Sequence, residues 1–147
     1  MKHPDPRLRA YRDLVVAEPT SVTAVRDADA AWHVLVEDAL EAAALIRELR
    51  PTEAVDVGSG GGSPGIPIAI ALGLPVTLLE ATGTKCRFLE RAVAALEVPC
   101  TVAHARSEDY ARGEGRDHFA AAESTDLTLP QAIASYDQSA VITTRLS

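Results

Sequence analysis

A glycine-dense stretch between an apolar run and a helix is the part of this sequence best suited to binding chemistry. It reads Asp56-Val-Gly-Ser-Gly-Gly-Gly-Ser-Pro-Gly-Ile-Pro67 and follows the β-rich run Ala54–Val57. Glycine allows positive φ and lets a ligand approach the backbone closely. The free N–H groups at a helix start favour acceptor or negatively charged atoms. The stretch therefore predicts a strand, a glycine turn and a helix N-terminus that together hold a cofactor.

The spacing of the glycines distinguishes between two classes of cofactor. A dinucleotide fingerprint, Gly-x-Gly-x-x-Gly, would place its third glycine at Ser63. The pattern Asp-x-Gly-x-Gly-x-Gly fits instead, read as Asp56, Gly58, Gly60 and Gly62. This pattern is similar to the first motif of S-adenosylmethionine-dependent methyltransferases with a Rossmann-like fold. A plain tight turn between a strand and a helix is the alternative interpretation.

A carboxylate at the end of the next predicted strand strengthens the cofactor interpretation. The run Pro75-Val-Thr-Leu-Leu-Glu80 is typical of a buried strand that ends in an acid. An acidic residue about 20 positions after the glycines binds ribose hydroxyls in dinucleotide folds. We therefore expect Glu80 to hold two ribose hydroxyls of an adenosine-bearing cofactor. A solvated residue at a strand end is the simpler alternative.

The composition is that of a globular protein. The chain has 147 residues, of which 47% are hydrophobic and 24% charged, enough for one domain with an ordinary core. Cys86 and Cys100 have no partner motif and indicate free thiols in a cytosolic protein. The sequence contains no signal peptide or membrane-spanning run. We expect a cytoplasmic protein with no membrane contact and no metal site.

The charge balance limits how the protein would meet nucleic acid. A net charge of −7, with a sequence pI near 5.0, argues against binding through bulk charge. Arg7, Arg9 and Arg12 form the one clear positive cluster, on the first predicted helix. This cluster is either a solvated helix face or a contact with an RNA backbone. His33, on the second predicted helix, is interpreted as a surface residue.

Alternating helix and strand patterns predict an α/β fold. An amphipathic helix follows Asp5-Pro6 up to Pro19, and a long helix begins at Asp27 or Asp29 and ends near Arg50. Strands are then predicted at 54–57, 75–79 and 98–103, with helices at 64–72 and 84–96 between them. Such alternation predicts a parallel sheet with right-handed crossovers, whose ligands bind at the carboxyl ends of the strands. The Gly58 loop, Glu80 and Arg106–Glu108 all fall at that edge.

The end of the chain departs from this rhythm. We divide the sequence into an N-terminal helical segment (1–50), a cofactor-binding α/β core (51–119) and an atypical tail (120–147). In the tail only Ala140–Thr144 has strand character, and a βα unit needs about 30 residues. We therefore expect incomplete C-terminal strands. Unless 140–144 fills the gap, strand 54–57 would be an open edge, which predicts marginal stability or self-association.

With these elements placed, the sequence resembles the small-subunit ribosomal RNA methyltransferase G family (RsmG), which methylates N7 of a guanine in 16S ribosomal RNA. The resemblance covers roughly residues 20 to 119. The glycine loop with Pro64-Gly-Ile-Pro67, followed one helix later by Lys85-Cys-Arg-Phe-Leu89, is more specific than the glycines alone. The other matching text is Val22-Thr-Ala-Val-Arg-Asp27, Leu78-Leu-Glu80 and Arg106-Ser-Glu108.

The resemblance implies a Rossmann-like class I methyltransferase fold and S-adenosyl-L-methionine as cofactor. It implies that Gly58 and Ser63 line the methionine side of the cofactor, that Glu80 holds the ribose, and that Ser107 with Glu108 flanks the adenine. The full set of expected cofactor-binding residues is Gly58, Ser59, Gly60, Gly62, Ser63, Glu80, Arg106, Ser107 and Glu108. It implies 16S ribosomal RNA in the small ribosomal subunit as partner, and a monomer.

Three positions depart from the family pattern. Leu35 stands where the family usually has a histidine, and Ser21 stands where it has an asparagine. The fourth strand of the family ends in Ser-Arg-Ala, but the equivalent stretch here is Glu123-Ser-Thr-Asp126, with Thr125 at the arginine position. Because that arginine belongs to the cofactor and RNA site, no catalytic residue is assigned.

The expected activity is therefore methyl transfer from S-adenosylmethionine to guanine N7 in 16S ribosomal RNA. Guanine N7 carries a free lone pair at neutral pH, so the reaction needs positioning rather than a general base. Two alternatives remain: a shortened, inactive derivative with only a partial cofactor site, and a nicotinamide-binding oxidoreductase domain. Ser63 at the third glycine position counts against the second alternative.

Overall fold

The computed structural model describes the backbone of residues 4–20, 22–112, 131–136 and 139–144, and the side chains of residues 4–20 and 22–110. The elements in chain order are α1 (Pro6–Ala17), α2 (Ala28–Ala31), a π-helical segment (Trp32–Glu37), α3 (Asp38–Leu49), β1 (Glu53–Val57), α4 (Gly65–Leu72), β2 (Val76–Glu80), α5 (Gly83–Leu96), β3 (Cys100–His104), α6 (Ser107–Arg112), β4 (Gln131–Tyr136) and β5 (Ser139–Thr144). The predicted α/β class and the N-terminal helices are confirmed.

Capping residues fix where the N-terminal helices begin. The Asp5 carboxylate accepts the Arg7 N–H at 2.9 Å, with proline in the first turn of α1. Asp27 caps the long helix by accepting the Ala30 N–H at 2.8 Å. That helix ends at Leu49, after which Arg50 takes a left-handed conformation with φ of 51°. Both predicted helices are therefore present.

The long helix differs from the prediction in its middle. Residues Trp32–Glu37 are π-helical, so the helix consists of two α-helical parts joined by a wider turn. The buried side of this region includes Leu35 and Val36, while Trp32 is half-buried. The apolar spacing predicts a helix here, but it does not distinguish an α-helix from a π-helix, since one extra residue per turn displaces the buried stripe only locally.

Within the described residues, the sheet has five strands in the order β3-β2-β1-β5-β4. Strands β3, β2, β1 and β5 are parallel, and β4 pairs antiparallel with β5. Val55 lies opposite Thr77 of β2 and Val141 of β5, so both sides of β1 are paired. The predicted strand at 140–144 thus fills the gap beside β1, which removes the reason to expect an open parallel edge there.

One strand of the tail was not predicted. The interpretation that only 140–144 has strand character is wrong, because β4 spans Gln131–Tyr136 and pairs with all six residues of β5. Its sequence, Gln-Ala-Ile-Ala-Ser-Tyr, is rich in alanine and serine, which have little β propensity. Pairing with a neighbour can override that preference. The expected departure at Glu123–Asp126, with Thr125, lies outside the described residues.

The main core lies between the sheet and the helices α1, α3, α4 and α5. Tyr11, Ile46, Ile66, Leu78 and Leu89 are among its fully buried members. A smaller cluster forms around Val55 and Leu79, with Tyr110 of α6 packed against it. Among the helices described, none combines the length and apolar character needed to cross a membrane.

Candidate functional site

The glycine loop, residues Gly58–Gly62, joins the end of β1 to the turn before α4. The N–H groups of Gly58 and Ser59 both donate to the Leu79 carbonyl, at 2.9 and 3.0 Å. Positive φ angles occur at Gly58 (74°), Gly60 (54°) and Gly62 (97°). A side chain at these positions would be strained, because L-residues rarely adopt this conformation. The three glycines of the predicted motif are the three that the loop conformation requires.

Glu80 lies directly beside this loop, at the carboxyl end of β2. Its Oε1 accepts the Gly60 N–H at 2.9 Å, and its Oε2 accepts the Thr82 N–H at 2.8 Å. The residue is only 7% exposed. A carboxylate buried in this way needs hydrogen-bond partners, and both oxygens have one. The structure therefore brings together the glycine loop and the acid that the sequence predicts.

The end of β3 is tied to the same edge. His104 pairs with Glu80 in the sheet register, and the Ala105 N–H donates to the Glu80 carbonyl at 3.1 Å. The segment Arg106–Glu108 follows at once, and Ser107 is the first residue of α6. Arg106 and Glu108 are exposed and Ser107 is half-buried. The three strand ends thus meet at one edge of the sheet.

Two serines of the predicted site donate hydrogen bonds to backbone carbonyls of the protein. The Ser59 hydroxyl donates to the Asp56 carbonyl at 2.9 Å, and Ser59 is 2% exposed, so its side chain faces inward. The Ser63 hydroxyl donates to the Leu35 carbonyl at 2.8 Å, within the π-helical segment. Ser63 is half-buried, and its oxygen retains lone pairs that can accept a hydrogen bond.

A second carboxylate lies behind the loop. Asp56 is fully buried, its Oδ2 accepts the Gly65 N–H at 3.0 Å, and its Oδ1 has no hydrogen-bond partner within the described part of the chain. Burial raises the pKa of Asp56 to about 7, against the hydrogen bond from Gly65, and the nearby charge of Glu80 raises it further. Asp56 therefore holds the start of α4 against β1 at an electrostatic cost.

The sequence did not indicate that α1 touches the loop. The Tyr11 hydroxyl, on a fully buried side chain, donates to the Gly61 carbonyl at 2.8 Å. A Cβ atom built on Gly61 would lie 3.0 Å from the Val22 carbonyl oxygen. Helical spacing marks Tyr11 as a core residue, but no local pattern predicts where its hydroxyl bonds. The N-terminal segment thus packs directly on the glycine loop.

The remaining polar residues singled out from the sequence lie away from the loop. His33 is exposed, as predicted, and the hydrogen bond with Glu37 (3.1 Å) raises its pKa. Arg7 pairs with Asp5 at 2.8 Å and Arg12 with Asp13 at 3.0 Å, so two of the three arginines of the predicted cluster are paired with carboxylates. Across the side chains that the structure describes, no group of three or more His, Cys, Asp or Glu could hold a metal ion.

Two surface depressions are also present, and neither is lined by the glycine loop. One, of about 270 Å³, is lined by the ends of α3 and α4 and includes Arg47, Arg50 and Leu72. The other, of about 410 Å³, is lined by Arg9, Arg12, Asp29, Trp32 and Glu37. Neither depression includes Glu80 or a residue of Arg106–Glu108, which lie at the carboxyl edge where parallel sheets bind ligands.

A largely parallel sheet with a glycine turn after β1 and an acid at the end of β2 defines a Rossmann-like α/β protein. Comparison with known proteins then gives the family: the model of the GidB family, described as rRNA small subunit methyltransferase G, matches residues 6–147. The chain belongs to this family. The match extends well beyond the expected 20–119 and includes the tail.

Curated relatives agree with this assignment. The chain is 42% identical over 104 residues to ribosomal RNA small subunit methyltransferase G of Gluconobacter oxydans, covering 69% of this chain and 53% of that protein. It is 36% identical over 132 residues to the protein of the same name from Carboxydothermus hydrogenoformans, covering 86% and 52%. The chain spans about half the length of these curated relatives.

A solved structure of a hypothetical protein from Thermus thermophilus superposes with a TM-score of 0.45 and 23% identity, over 53% of this chain and 47% of that one. The family assignment rests on the sequence matches alone. Membership of this family disfavours the nicotinamide-binding alternative.

Proposed function

We propose that this protein is an S-adenosyl-L-methionine-dependent methyltransferase that acts on N7 of a guanine in 16S ribosomal RNA. Family membership supports the reaction class and ribosomal RNA as the substrate. The methyl donor, the methylated atom and the activity of a chain of this length are our inference. A cytoplasmic location and a monomer that acts on the small ribosomal subunit belong to the same proposal.

The arrangement of Glu80 is the observation that carries the proposal. Each carboxylate oxygen accepts one backbone N–H, from Gly60 or from Thr82. Each oxygen keeps further lone-pair capacity, because an ionised carboxylate accepts about four hydrogen bonds in all. Two adjacent ribose hydroxyls are donors that match this capacity. The backbone bonds hold the carboxylate in place beforehand, which lowers the cost of ordering it on binding.

The loop next to Glu80 offers space on the side where the cofactor would lie. A Cβ atom built on Gly58 meets no atom within 4 Å, and one built on Gly60 meets only the Gly58 carbonyl oxygen at 4.0 Å. We assign Gly58, Gly60 and the backbone of Ser59 to the wall of the cofactor site, to which Gly62 would contribute only its backbone, because its Cβ position faces Ile66 and Leu89. Ser63 would line the methionine side.

The adenine would lie against the end of β3. Ser107 and Glu108 would flank the base, and Arg106 would lie at the border of the same site. Ala105 anchors this segment to the Glu80 carbonyl at 3.1 Å, which supports one continuous site for ribose and adenine.

The chemistry asks for positioning and for little else from the protein. S-adenosylmethionine supplies an electrophilic methyl group on a sulfonium. Guanine N7 carries a lone pair at neutral pH, so no side chain needs to remove a proton. The contribution of this chain is to hold the donor and exclude misaligned approaches, which is the proximity effect. No catalytic residue is assigned, and Leu35 at the family's histidine position is compatible with this reaction.

Calorimetric titration of the purified chain with S-adenosylmethionine, with its demethylated product and with NAD tests the cofactor. We expect saturable binding of the first two and none of NAD. Glu80→Gln should weaken binding at least tenfold, because one carboxylate oxygen becomes a donor and can no longer accept a ribose hydroxyl. Glu90→Gln is the matched control, since Glu90 is an exposed glutamate on α5. Binding of NAD in place of S-adenosylmethionine would overturn the proposal.

A further inference from the structure

The groove between α1 and the beginning of the long helix has the composition of a nucleobase site. Its volume is about 410 Å³, and its walls are Arg9 and Arg12 from α1, Asp29 from α2, and Trp32 and Glu37 from the π-helical segment. Two guanidinium groups, two carboxylates and one indole therefore face a single cleft. None of these residues takes part in the cofactor site described above.

Arg12 and Trp32 form a stack at one wall of this groove. The Arg12 guanidinium carbon lies 5.7 Å from the centre of the Trp32 ring, within the range of a cation–π contact. Arg12 is further held by Asp13, whose Oδ1 accepts its Nε–H at 3.0 Å. Planar guanidinium groups and aromatic rings are the two surfaces on which proteins stack unpaired RNA bases. A wall made of both is suited to a flat, polar ring.

The charges of the groove select the kind of ligand. The charges of the two arginines and the two carboxylates that line the groove sum to zero. The groove therefore favours a neutral ligand with both donor and acceptor edges over a phosphate. Glu37 shares one oxygen with His33 at 3.1 Å, whereas Arg9 has no ion pair with any residue in the described ranges. A neutral base can thus meet a carboxylate on one edge and a guanidinium on the other.

Guanine is the base whose edges match this set. Its N1–H and N2–H₂ are adjacent donors that suit a carboxylate, and its O6 and N7 are adjacent acceptors that suit an arginine. Adenine and cytosine each offer a mixed edge where guanine offers two donors, and uracil lacks a second donor beside its N3–H. The pairing of carboxylates and arginines across one cleft therefore favours guanine.

The groove is built on elements that pack against the cofactor loop. Tyr11, next to Arg12, donates to the Gly61 carbonyl at 2.8 Å, and the Leu35 carbonyl of the π-helical segment accepts from Ser63 at 2.8 Å. Both walls are thus fixed relative to the glycine loop by hydrogen bonds. An RNA strand held in the groove would be held in a defined position relative to the cofactor site.

We propose that this groove binds an unpaired guanine of the RNA substrate, stacked on the Arg12–Trp32 pair. That the guanine belongs to an RNA rests on the proposed function. That the groove suits a guanine base does not. The bound guanine is a recognition base and not the methylated one, because an arginine on its O6/N7 edge occupies the lone pair that accepts a methyl group.

Trp32 provides a direct measurement, since it is the only tryptophan of the chain. Guanosine, inosine and adenosine 5′-monophosphates are titrated into the protein while the tryptophan emission is followed. The three share a phosphate, so differences among them report on the base. We expect saturable quenching by the guanine nucleotide and binding about tenfold weaker for inosine, which lacks the N2 amine. Adenosine should bind more weakly still.

Variants that remove one charge from the groove test whether the nucleotide binds there. Glu37→Gln and Arg9→Gln should each weaken binding of guanosine monophosphate about tenfold. Glu41→Gln and Arg47→Gln are the matched controls and should leave it unchanged, since neither Glu41 nor Arg47 lines the groove. All four residues are exposed on helices, so the fold should survive each substitution.

Equal quenching by the three nucleotides, absence of quenching at millimolar concentration, or equal effects of test and control variants would each overturn the inference. No methyl donor is present in this experiment. If the nucleotides do not bind but S-adenosylmethionine binds normally in calorimetry, the guanine site is wrong and the proposed function stands. If the guanine nucleotide binds but S-adenosylmethionine does not, the guanine site stands and the proposed function is wrong.

Discussion

The glycine loop has two faces, and each face carries a carboxylate. On the packed face, Cβ atoms built on Gly62 and Gly65 would lie 2.6 Å from Ile66 Cδ1 and 2.5 Å from Leu78 Cδ2. On the open face, one built on Gly58 would meet nothing within 4 Å. The same residue type thus serves two needs: close packing of a helix on a strand, and free approach of a ligand.

The two carboxylates differ in the same way. Asp56, on the packed face, is fully buried, and only one of its oxygens has a hydrogen-bond partner among the described residues. Glu80, on the open face, has a backbone N–H on each oxygen. If the proposed function holds, one short motif therefore contributes both to folding and to cofactor binding. Substitutions on the packed face should change stability, and those on the open face should change cofactor affinity.

The largest expected effect is the pH dependence contributed by Asp56. Its pKa is about 7 in the folded chain, against a reference value of 3.8. Between these values the folded state retains a proton that the unfolded state has lost, so stability falls as pH rises from about 4 to about 7. The full effect is on the order of 4 kcal/mol, since each pKa unit corresponds to about 1.4 kcal/mol.

Urea denaturation from pH 4 to pH 8 measures this contribution. Asp56→Asn stays neutral throughout, so the difference between the native protein and the variant isolates Asp56 from other titrating groups. We expect the native protein to lose stability relative to the variant as pH rises. A constant difference across the range would mean that Asp56 titrates normally and that its burial has no electrostatic cost.

Gly65→Ala is expected to cost about 3 kcal/mol, because the new methyl group would overpack the contact between α4 and β2. Its Cβ would lie 2.5 Å from Leu78 Cδ2 and 2.7 Å from Asp56 Oδ2. Gly73→Ala is the control: Gly73 has a positive φ of 64°, which Gly65 does not have, and nothing lies within 4 Å of its Cβ position. The control should lose only about 1 kcal/mol. Equal losses in chemical denaturation would show that Leu78 gives way at little cost, so that close packing does not require glycine at position 65.

Tyr11→Phe should reduce the free energy of unfolding by about 1 kcal/mol, because the buried Gly61 carbonyl loses its donor while the ring remains. The variant also tests whether α1 supports the packed face of the loop. If that support matters for the loop, S-adenosylmethionine should bind more weakly to the variant in the same buffer. Unchanged stability would show that the hydroxyl of Tyr11 contributes nothing net.

Gly58→Ala is expected to reduce stability by only about 1 kcal/mol, as Tyr11→Phe does, since only the positive φ of 74° opposes the new side chain. Its effect on binding should be much larger, because the added methyl group would enter the open space in which the cofactor is proposed to lie. Thermal unfolding of the free protein checks the stability. A loss comparable to that of Gly65→Ala would remove the distinction between the two faces.

The open face could be predicted from the sequence, and the packed face only in part. Gly58, Gly60 and Glu80 are set by spacing along adjoining strand ends, which sequence patterns record. That Glu80 anchors the loop through Gly60 and Thr82 follows from tertiary proximity, because its two N–H donors come from different turns.

Sequence patterns could not predict contacts between distant residues or a strand that forms only because it pairs with a neighbour. The bond from Tyr11 to Gly61 spans 50 residues, and the contact of Ser63 with Leu35 spans 28. Strand β4 owes its conformation to its partner β5 rather than to its own alanine-rich sequence. The π-helical turn at Trp32–Glu37 preserves the apolar spacing of an α-helix so closely that the sequence pattern does not distinguish the two.

The most direct test of the division between folding and binding is thermal unfolding with and without S-adenosylmethionine, for the native chain and for Gly58→Ala. A ligand that binds only the folded state at 100 times its Kd stabilises by about 2.7 kcal/mol. We predict a clear rise in Tm for the native chain and none for Gly58→Ala, although the variant folds. An equal rise in both would contradict the account, because it would place the cofactor away from the open face of the loop.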